Sequence, residues 1–156
     1  MKKTRILFCL LSAAALAAVW QHRVMPPREP PDLTATCQNQ TATLWRGTYG
    51  WQWMDYFGSG QGVTSDSPHP LDVLEELPAL AAEAGDRISV SSPAAPDSLT
   101  AERFSRVGPD SEALTPQPDG VLLLPEEGRD SVYVIHARWN DTFTGSGNAV
   151  YAFYVP

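Results

Sequence analysis

The sequence predicts an all-β domain, an immunoglobulin-like or fibronectin-III-like sandwich of about seven strands with one short helical segment, preceded by an N-terminal hydrophobic export helix. Three observations lead to this prediction. In most segments that contain apolar residues, every second residue is apolar and the residues between them are polar, as expected for strands with one buried face. The 14 prolines and 11 glycines are spread along the chain as turn residues. A length of 156 residues suits one domain and a targeting segment.

The N-terminus, residues 1–23, has the arrangement of a signal peptide or signal anchor. Basic residues precede an uncharged run from Ile6 to Trp20, which is 15 residues long. Ala15 and Ala17 form a small-x-small cleavage site. The run is shorter than the roughly 20 residues that cross a bilayer comfortably, but Trp20 and Arg23 suit an interfacial anchor. Cleavage and retention as a membrane tether through residues 6–20 both remain open.

Residues 24–43 are rich in proline and then polar without a period, which predicts a linker. Cys37 in this linker has no partner if the signal is removed with Cys9. We expect a tolerated residue in a loose segment. The predicted domain therefore spans residues 44–156.

The first predicted strand carries four aromatic residues at odd positions, namely Trp45, Tyr49, Trp51 and Trp53. Side chains of a strand alternate between faces, so these rings are expected to share one face. The glycine-rich segment from Phe57 leads into a second strand that begins at Gly62 and completes a hairpin. We expect the aromatic face to lie in the core, although an exposed strip that binds a ligand through Trp45 and Trp53 is the alternative.

The remaining elements follow in order. Between Pro70 and Ala84, apolar residues at spacings of one and three predict one or two helical turns, limited by Pro78. The segments with strand character are DRISVSS, SLTAERFS, VLLLP, SVYVIHARW and NAVYAFYVP. The last two form a C-terminal hairpin whose inward faces begin with Tyr133 and Ala149.

Two motifs resemble those of a group of short exported bacterial proteins. The group has a Gly-Thr-Tyr-x-Trp strand, which here is Gly47 to Trp51, and an Asp-Ser-x-His-Pro-Leu segment, which here is Asp66 to Leu71. The resemblance covers roughly residues 46–155. It implies export and a β-rich domain, and it implies no activity and no catalytic residue.

Charge excludes one class of partner. Four of the 11 Lys and Arg residues lie in the first 23 positions, which leaves seven against 18 Asp and Glu in the rest of the chain. An acidic domain repels phosphate backbones, so we expect no nucleic-acid partner.

His69 is the strongest candidate for chemistry, because Asp66 and several hydroxyl groups lie nearby in the sequence. Nucleophilic catalysis requires such groups to converge in space, whereas a histidine between prolines commonly fixes a turn. We expect the structural role for His69, and an exposed sheet position for His136 beside Arg138. No metal-ligand spacing is present, so we expect no metal site and no cofactor.

These patterns together predict an extracytoplasmic module, secreted or anchored to the cytoplasmic membrane. Its expected role is binding or accessory and without catalytic activity, toward an unknown protein or glycan at the cell surface. Trp45, Trp53 and His69 are the candidate binding residues. The alternative is a small extracytoplasmic hydrolase that uses the loop of Asp66 and His69.

Export is tested on protein recovered from its native host. Intact mass spectrometry of the extracytoplasmic fraction should give either the full chain or a chain shortened near Ala17, because only these two outcomes fit the N-terminal pattern. Recovery in the cytosol alone would contradict the prediction.

Overall fold

The computed structural model describes residues 27–55, 57–106, 111–140 and 145–156. These residues contain ten strands and one 3-10 helix, Pro70–Glu76. The strands are Thr34–Cys37 (β1), Gln40–Thr43 (β2), Trp45–Met54 (β3), Gly60–Ser65 (β4), Arg87–Ser91 (β5), Ser98–Ser105 (β6), Ser111–Leu114 (β7), Val121–Leu123 (β8), Ser131–Trp139 (β9) and Ser146–Val155 (β10).

The strands form two antiparallel sheets that face each other. The four-stranded sheet has the order β2-β1-β5-β8, and the six-stranded sheet has the order β4-β3-β10-β9-β6-β7. The all-β prediction is confirmed, and each of the seven predicted strand segments contains a strand. Three further strands, β1, β2 and β7, were not predicted, and each is four residues long.

The predicted linker is wrong in its C-terminal half. Residues 34–43 form the β1–β2 hairpin, which begins the four-stranded sheet by pairing with β5. Leu33, Ala35 and Cys37 are buried in the main core. The domain therefore begins well before Leu44. The β1–β2 hairpin could not be predicted from the sequence, because strands of four residues are too short to show a clear alternation of apolar and polar residues.

The proline-rich segment 27–33, here called the strap, lies along β3 in the antiparallel direction. Trp51 Nε1 donates to the carbonyl of Pro27 at 2.8 Å, and Arg46 Nη1 donates to that of Pro30 at 2.7 Å. The Tyr151 hydroxyl donates to the carbonyl of Pro31. Prolines have no N–H to contribute to a strand ladder, so the strap is held through its carbonyl oxygens by side chains of the six-stranded sheet.

Trp51 occupies the middle of the main core. It is 1% exposed and packs edge-to-face on Trp139, with ring centroids 5.6 Å apart. Both residues pair with Gly147 of β10, which lies between them in the sheet. Gly147 itself carries no side chain between them. A Cβ at Gly147 would lie 2.0 Å from the carbonyl oxygen of Gly50, so this position accepts only glycine.

The expected single face of the β3 aromatics is wrong for Trp45. Tyr49 and Trp53 pack against the main core with Trp51. Trp45 packs on the opposite side of the sheet, with Val132 and Val134. The cause is a β-bulge, because Ala149 pairs with Tyr49 while Tyr151 pairs with Arg46. One extra residue on β3 moves every side chain before it to the other face.

The predicted helical segment is present as the 3-10 helix Pro70–Glu76. It is kinked at Val73 and ends before Pro78. Leu77 packs with Val132 and Val134 on the outer face of the six-stranded sheet. Leu80 reaches the main core, and its N–H donates to the Tyr154 carbonyl at 2.9 Å.

The predicted signal peptide or anchor of residues 1–23 lies outside the described residues. Among the residues that are described, no helix has the length and apolar character needed to cross a bilayer.

Truncation of Trp51 tests the core. The Trp51→Ala variant should lose about 3–5 kcal/mol of unfolding free energy, because it leaves a cavity and removes the Trp139 contact. This loss is a large part of the roughly 5–15 kcal/mol expected for a domain. Thermal unfolding followed by circular dichroism should show a clear fall in Tm. Phe57→Ala is the control, since that ring is 89% exposed. Equal Tm values for the two variants would contradict the assigned core.

Shortened chains test the strap and the first hairpin. A chain that begins at Pro27 should fold with a cooperative thermal transition. A chain that begins at Leu44 should not, because it lacks the buried Leu33, Ala35 and Cys37 and one side of the four-stranded sheet. Amide exchange measured by NMR distinguishes the two cases. Similar protection in both chains would show that residues 27–43 are dispensable.

Candidate functional site

The outer face of the six-stranded sheet, which points away from the four-stranded sheet, is divided into two halves. One half is sealed by apolar side chains beneath the 3-10 helix and the residues that follow it. This cluster contains Trp45, Val73, Leu74, Leu77, Phe104, Val132, Val134, Val150, Ala152 and Tyr154. The other half has no covering segment among the described residues, and it forms a groove of about 750 Å³.

Strand register places hydrogen-bonding side chains across this groove. One row of paired positions crosses five strands from β4 to β6, in the order Thr64, Gly50, Asn148, Arg138 and Ser98. A second row has Gly62, Gln52 and Ser146, and a third has Val150, His136 and Thr100. All these residues line the groove except Val150, which lies at the border with the sealed half.

The floor of the groove is low on the side of β3 and β4 because of Gly50 and Gly62. Neither glycine has a positive φ. A Cβ at Gly50 would lie 3.6 Å or more from other atoms, and one at Gly62 would lie 3.4 Å or more away, so a side chain fits at both. Glycine weakens a strand interior. The fold therefore does not demand these glycines, and their effect is to keep the groove open.

His69 and His136 are brought together at a smaller cavity of about 340 Å³ beside the groove, which Glu102 also lines. His136 Nε2 lies 3.8 Å from Glu102 Oε1. His136 is exposed on the face opposite Tyr133, as predicted. His69 is the N-cap residue of the 3-10 helix, and its Nδ1 accepts a hydrogen bond from the Leu71 N–H at 3.3 Å. Its ring also packs edge-to-face on Phe104, with centroids 5.4 Å apart.

Through its hydrogen bond with the Leu71 N–H, the His69 imidazole caps the N-terminus of the 3-10 helix. A histidine general base held by a carboxylate donates from Nδ1 and accepts at Nε2. Here Nδ1 is the acceptor, which is the reverse arrangement. The structure contains no hydrogen bond between His69 and Asp66, which is exposed. This geometry agrees with the structural role that the sequence predicts for His69.

Trp45 and Trp53, the other two sequence candidates, are half-buried and lie outside the groove. Trp45 borders the cavity of His69, and Trp53 borders a separate depression next to Gln52. The residues predicted from the sequence did not include the groove residues Gln52, Thr64, Ser98, Thr100, Asn140, Ser146 and Asn148. Their only sequence signal is polarity on the side of each strand opposite the apolar face. That signal is the same for any solvated sheet.

Across the described ranges, no group of three or more His, Cys, Asp or Glu side chains is placed to hold a metal ion. Comparison with protein-family models, curated proteins and solved structures finds no match. The resemblance to short exported bacterial proteins therefore stays a prediction.

Cys37 lies away from the groove and is buried in the core, not in a loose linker. Its Sγ donates to Asp86 Oδ2 at 3.6 Å. Burial, followed by the charge and hydrogen bond of Asp86, raises the pKa of the thiol. A buried thiol of raised pKa holds little thiolate at neutral pH, so it is a poor nucleophile.

Alkylation tests this environment. Iodoacetamide at pH 7.5 should leave Cys37 unmodified in the folded protein and modify it in 8 M urea, because unfolding exposes the thiol and restores its ordinary pKa. Peptide mapping by mass spectrometry measures both states. Rapid modification of Cys37 in the folded protein would contradict its placement in the core.

Proposed function

We propose that this protein is an extracytoplasmic module, secreted or tethered through residues 6–20, that binds a polar ligand in the groove and has no catalytic activity. The observation that carries the proposal is the division of one sheet face into an apolar half sealed by its own chain and an open half lined with hydrogen-bonding groups. The N-terminal charge pattern supports export. For the type of sandwich, we propose an immunoglobulin-like or fibronectin-III-like module.

The groove has properties that favour recognition. Many of its side chains stand on β3, β10 and β9, which along the groove are paired with strands on both sides. Side chains on paired strands are held more rigidly than side chains on loops, so less ordering is required when a ligand binds. The groove crosses five strands, which at a strand spacing of about 4.8 Å gives a width of roughly 19 Å. This size favours an extended ligand over a small molecule.

The alternative hydrolase has less support from the geometry. His69 Nδ1 is occupied as an acceptor by the N–H of Leu71. The groove itself presents amides, hydroxyls, one guanidinium and one imidazole, which are groups that orient a ligand through hydrogen bonds.

A steric block tests the groove. Thr100→Trp places a large ring in it, because Thr100 is an exposed strand residue that lines it. Ser89→Trp is the matched control, since Ser89 is also an exposed hydroxyl residue. It lies on β5, a central strand of the four-stranded sheet. Parent and variants are screened against an array of purified neutral polysaccharides, acidic polysaccharides and extended peptides.

We expect at least one polymer that binds the parent and the Ser89→Trp variant equally and binds the Thr100→Trp variant at least tenfold more weakly. Circular dichroism melts of the three proteins exclude unfolding as the cause. The absence of any such polymer, or an equal loss in both variants, would refute the groove as the binding site.

A further inference from the structure

Arg138 stands in the middle of the groove, where its Nε donates to Asn140 Oδ1 at 3.1 Å and the residue is exposed. Four other arginines each have a carboxylate oxygen within 4.0 Å, namely Arg46, Arg87, Arg103 and Arg106. Like Arg28 and Arg129, Arg138 has no such partner among the described residues, and of these three it alone lines the groove.

The residues beside Arg138 in its row are neutral. Asn148 precedes it on β10, and Ser98 follows it on β6. Glu102 stands at the border with the sealed half, where its Oε1 lies 3.8 Å from His136 Nε2. No acidic residue lines the groove among the described residues, and the nearby Asp97 carboxylate is bonded to the Asn140 N–H at 2.6 Å. Arg138 is therefore the one charged residue of its row and is placed to receive an anion. A guanidinium binds a carboxylate through two parallel N–H···O bonds, which are among the stronger polar contacts in proteins.

The rest of the groove matches a polyhydroxylated ligand. Along the groove, the backbone N–H and C=O groups of β3, β10 and β9 face paired strands on both sides, so a ligand over these three strands meets side chains. Those side chains are amides and hydroxyls, including Gln52, Thr64 and Asn148, which both donate and accept as sugar hydroxyls do. An extended peptide binds well where it can pair with a free strand edge, and the three strands under the centre of the groove, β3, β10 and β9, offer none.

We propose, on the basis of the function proposed above, that the groove binds a carboxylate-bearing glycan. One carboxylate lies on the Arg138 guanidinium, and the sugar hydroxyls bond to the amide and hydroxyl groups on either side. The carboxylate of the ligand complements Arg138, the one charged residue of the central row.

The test uses the full chain and three named polymers. Polygalacturonate is the acidic glycan, carboxyl-reduced polygalacturonate is its neutral match, and poly-L-glutamate is an acidic peptide. Affinities are measured by biolayer interferometry at 20 and 300 mM NaCl. The variant Arg138→Gln removes the proposed contact. Arg87→Gln is the matched control, because it removes the same charge from an exposed position on the other sheet.

We expect polygalacturonate to bind at least tenfold more tightly than its reduced form at 300 mM NaCl, where the repulsion between the acidic domain and a polyanion is screened. Arg138→Gln should reduce that affinity at least tenfold, and Arg87→Gln should change it less than twofold. Poly-L-glutamate should bind at least tenfold more weakly than polygalacturonate.

Other results overturn the inference in distinguishable ways. Equal binding of the reduced polymer, still blocked by Thr100→Trp, would reject the acidic ligand and keep the groove. Tighter binding of poly-L-glutamate that depends on Arg138 would replace the glycan with an acidic peptide. Binding of polygalacturonate that survives both Thr100→Trp and Arg138→Gln would reject the groove as well. Failure of the parent to bind polygalacturonate would reject the carboxylate-bearing glycan.

Discussion

The contact between Trp51 and Trp139 across Gly147 is the interaction on which the rest of the structure depends. The two indoles belong to strands on either side of β10, and they meet at the level of Gly147, which pairs with both residues. Trp139 also contacts the Tyr151 ring, with centroids 6.5 Å apart. The Trp51 N–H holds the strap at Pro27. One cluster of rings thus joins three central strands and the segment that enters the domain.

The open groove is a consequence of this inner packing. Strand side chains alternate, so the positions that follow the buried rings point outward. Gly50 and Gln52 flank Trp51, and Arg138 precedes Trp139. The 3-10 helix covers the half of the outer face that carries Val132 and Val134, since only that half offers apolar side chains to pack against. The polar half remains accessible to a ligand.

The two histidines of the domain illustrate how position decides chemistry. His69 looked reactive because acids and hydroxyls surround it in the sequence, yet its Nδ1 accepts from the N–H of Leu71 and its ring packs on Phe104. His136 has ordinary neighbours in the sequence but stands between the groove and the smaller cavity, next to Glu102. Arg138, two positions later, carries the charge that the proposed ligand complements. The polar side chains of this face therefore suit the proposed recognition of a ligand better than they suit bond cleavage.

The sequence alone determined the β class, the two long hairpins and the helical turns before Pro78, because alternation and turn residues act locally along the chain. It also determined that the odd-numbered residues of β9 from Tyr133 to Trp139 face inward and that His136 faces outward. Only the tertiary structure decided the bulge that turns Trp45 to the other face, the sheet role of residues 34–43 and the five-strand row through Arg138. These features depend on which strands become neighbours and in what register. That choice is made by packing between residues far apart in the chain, which no local pattern encodes.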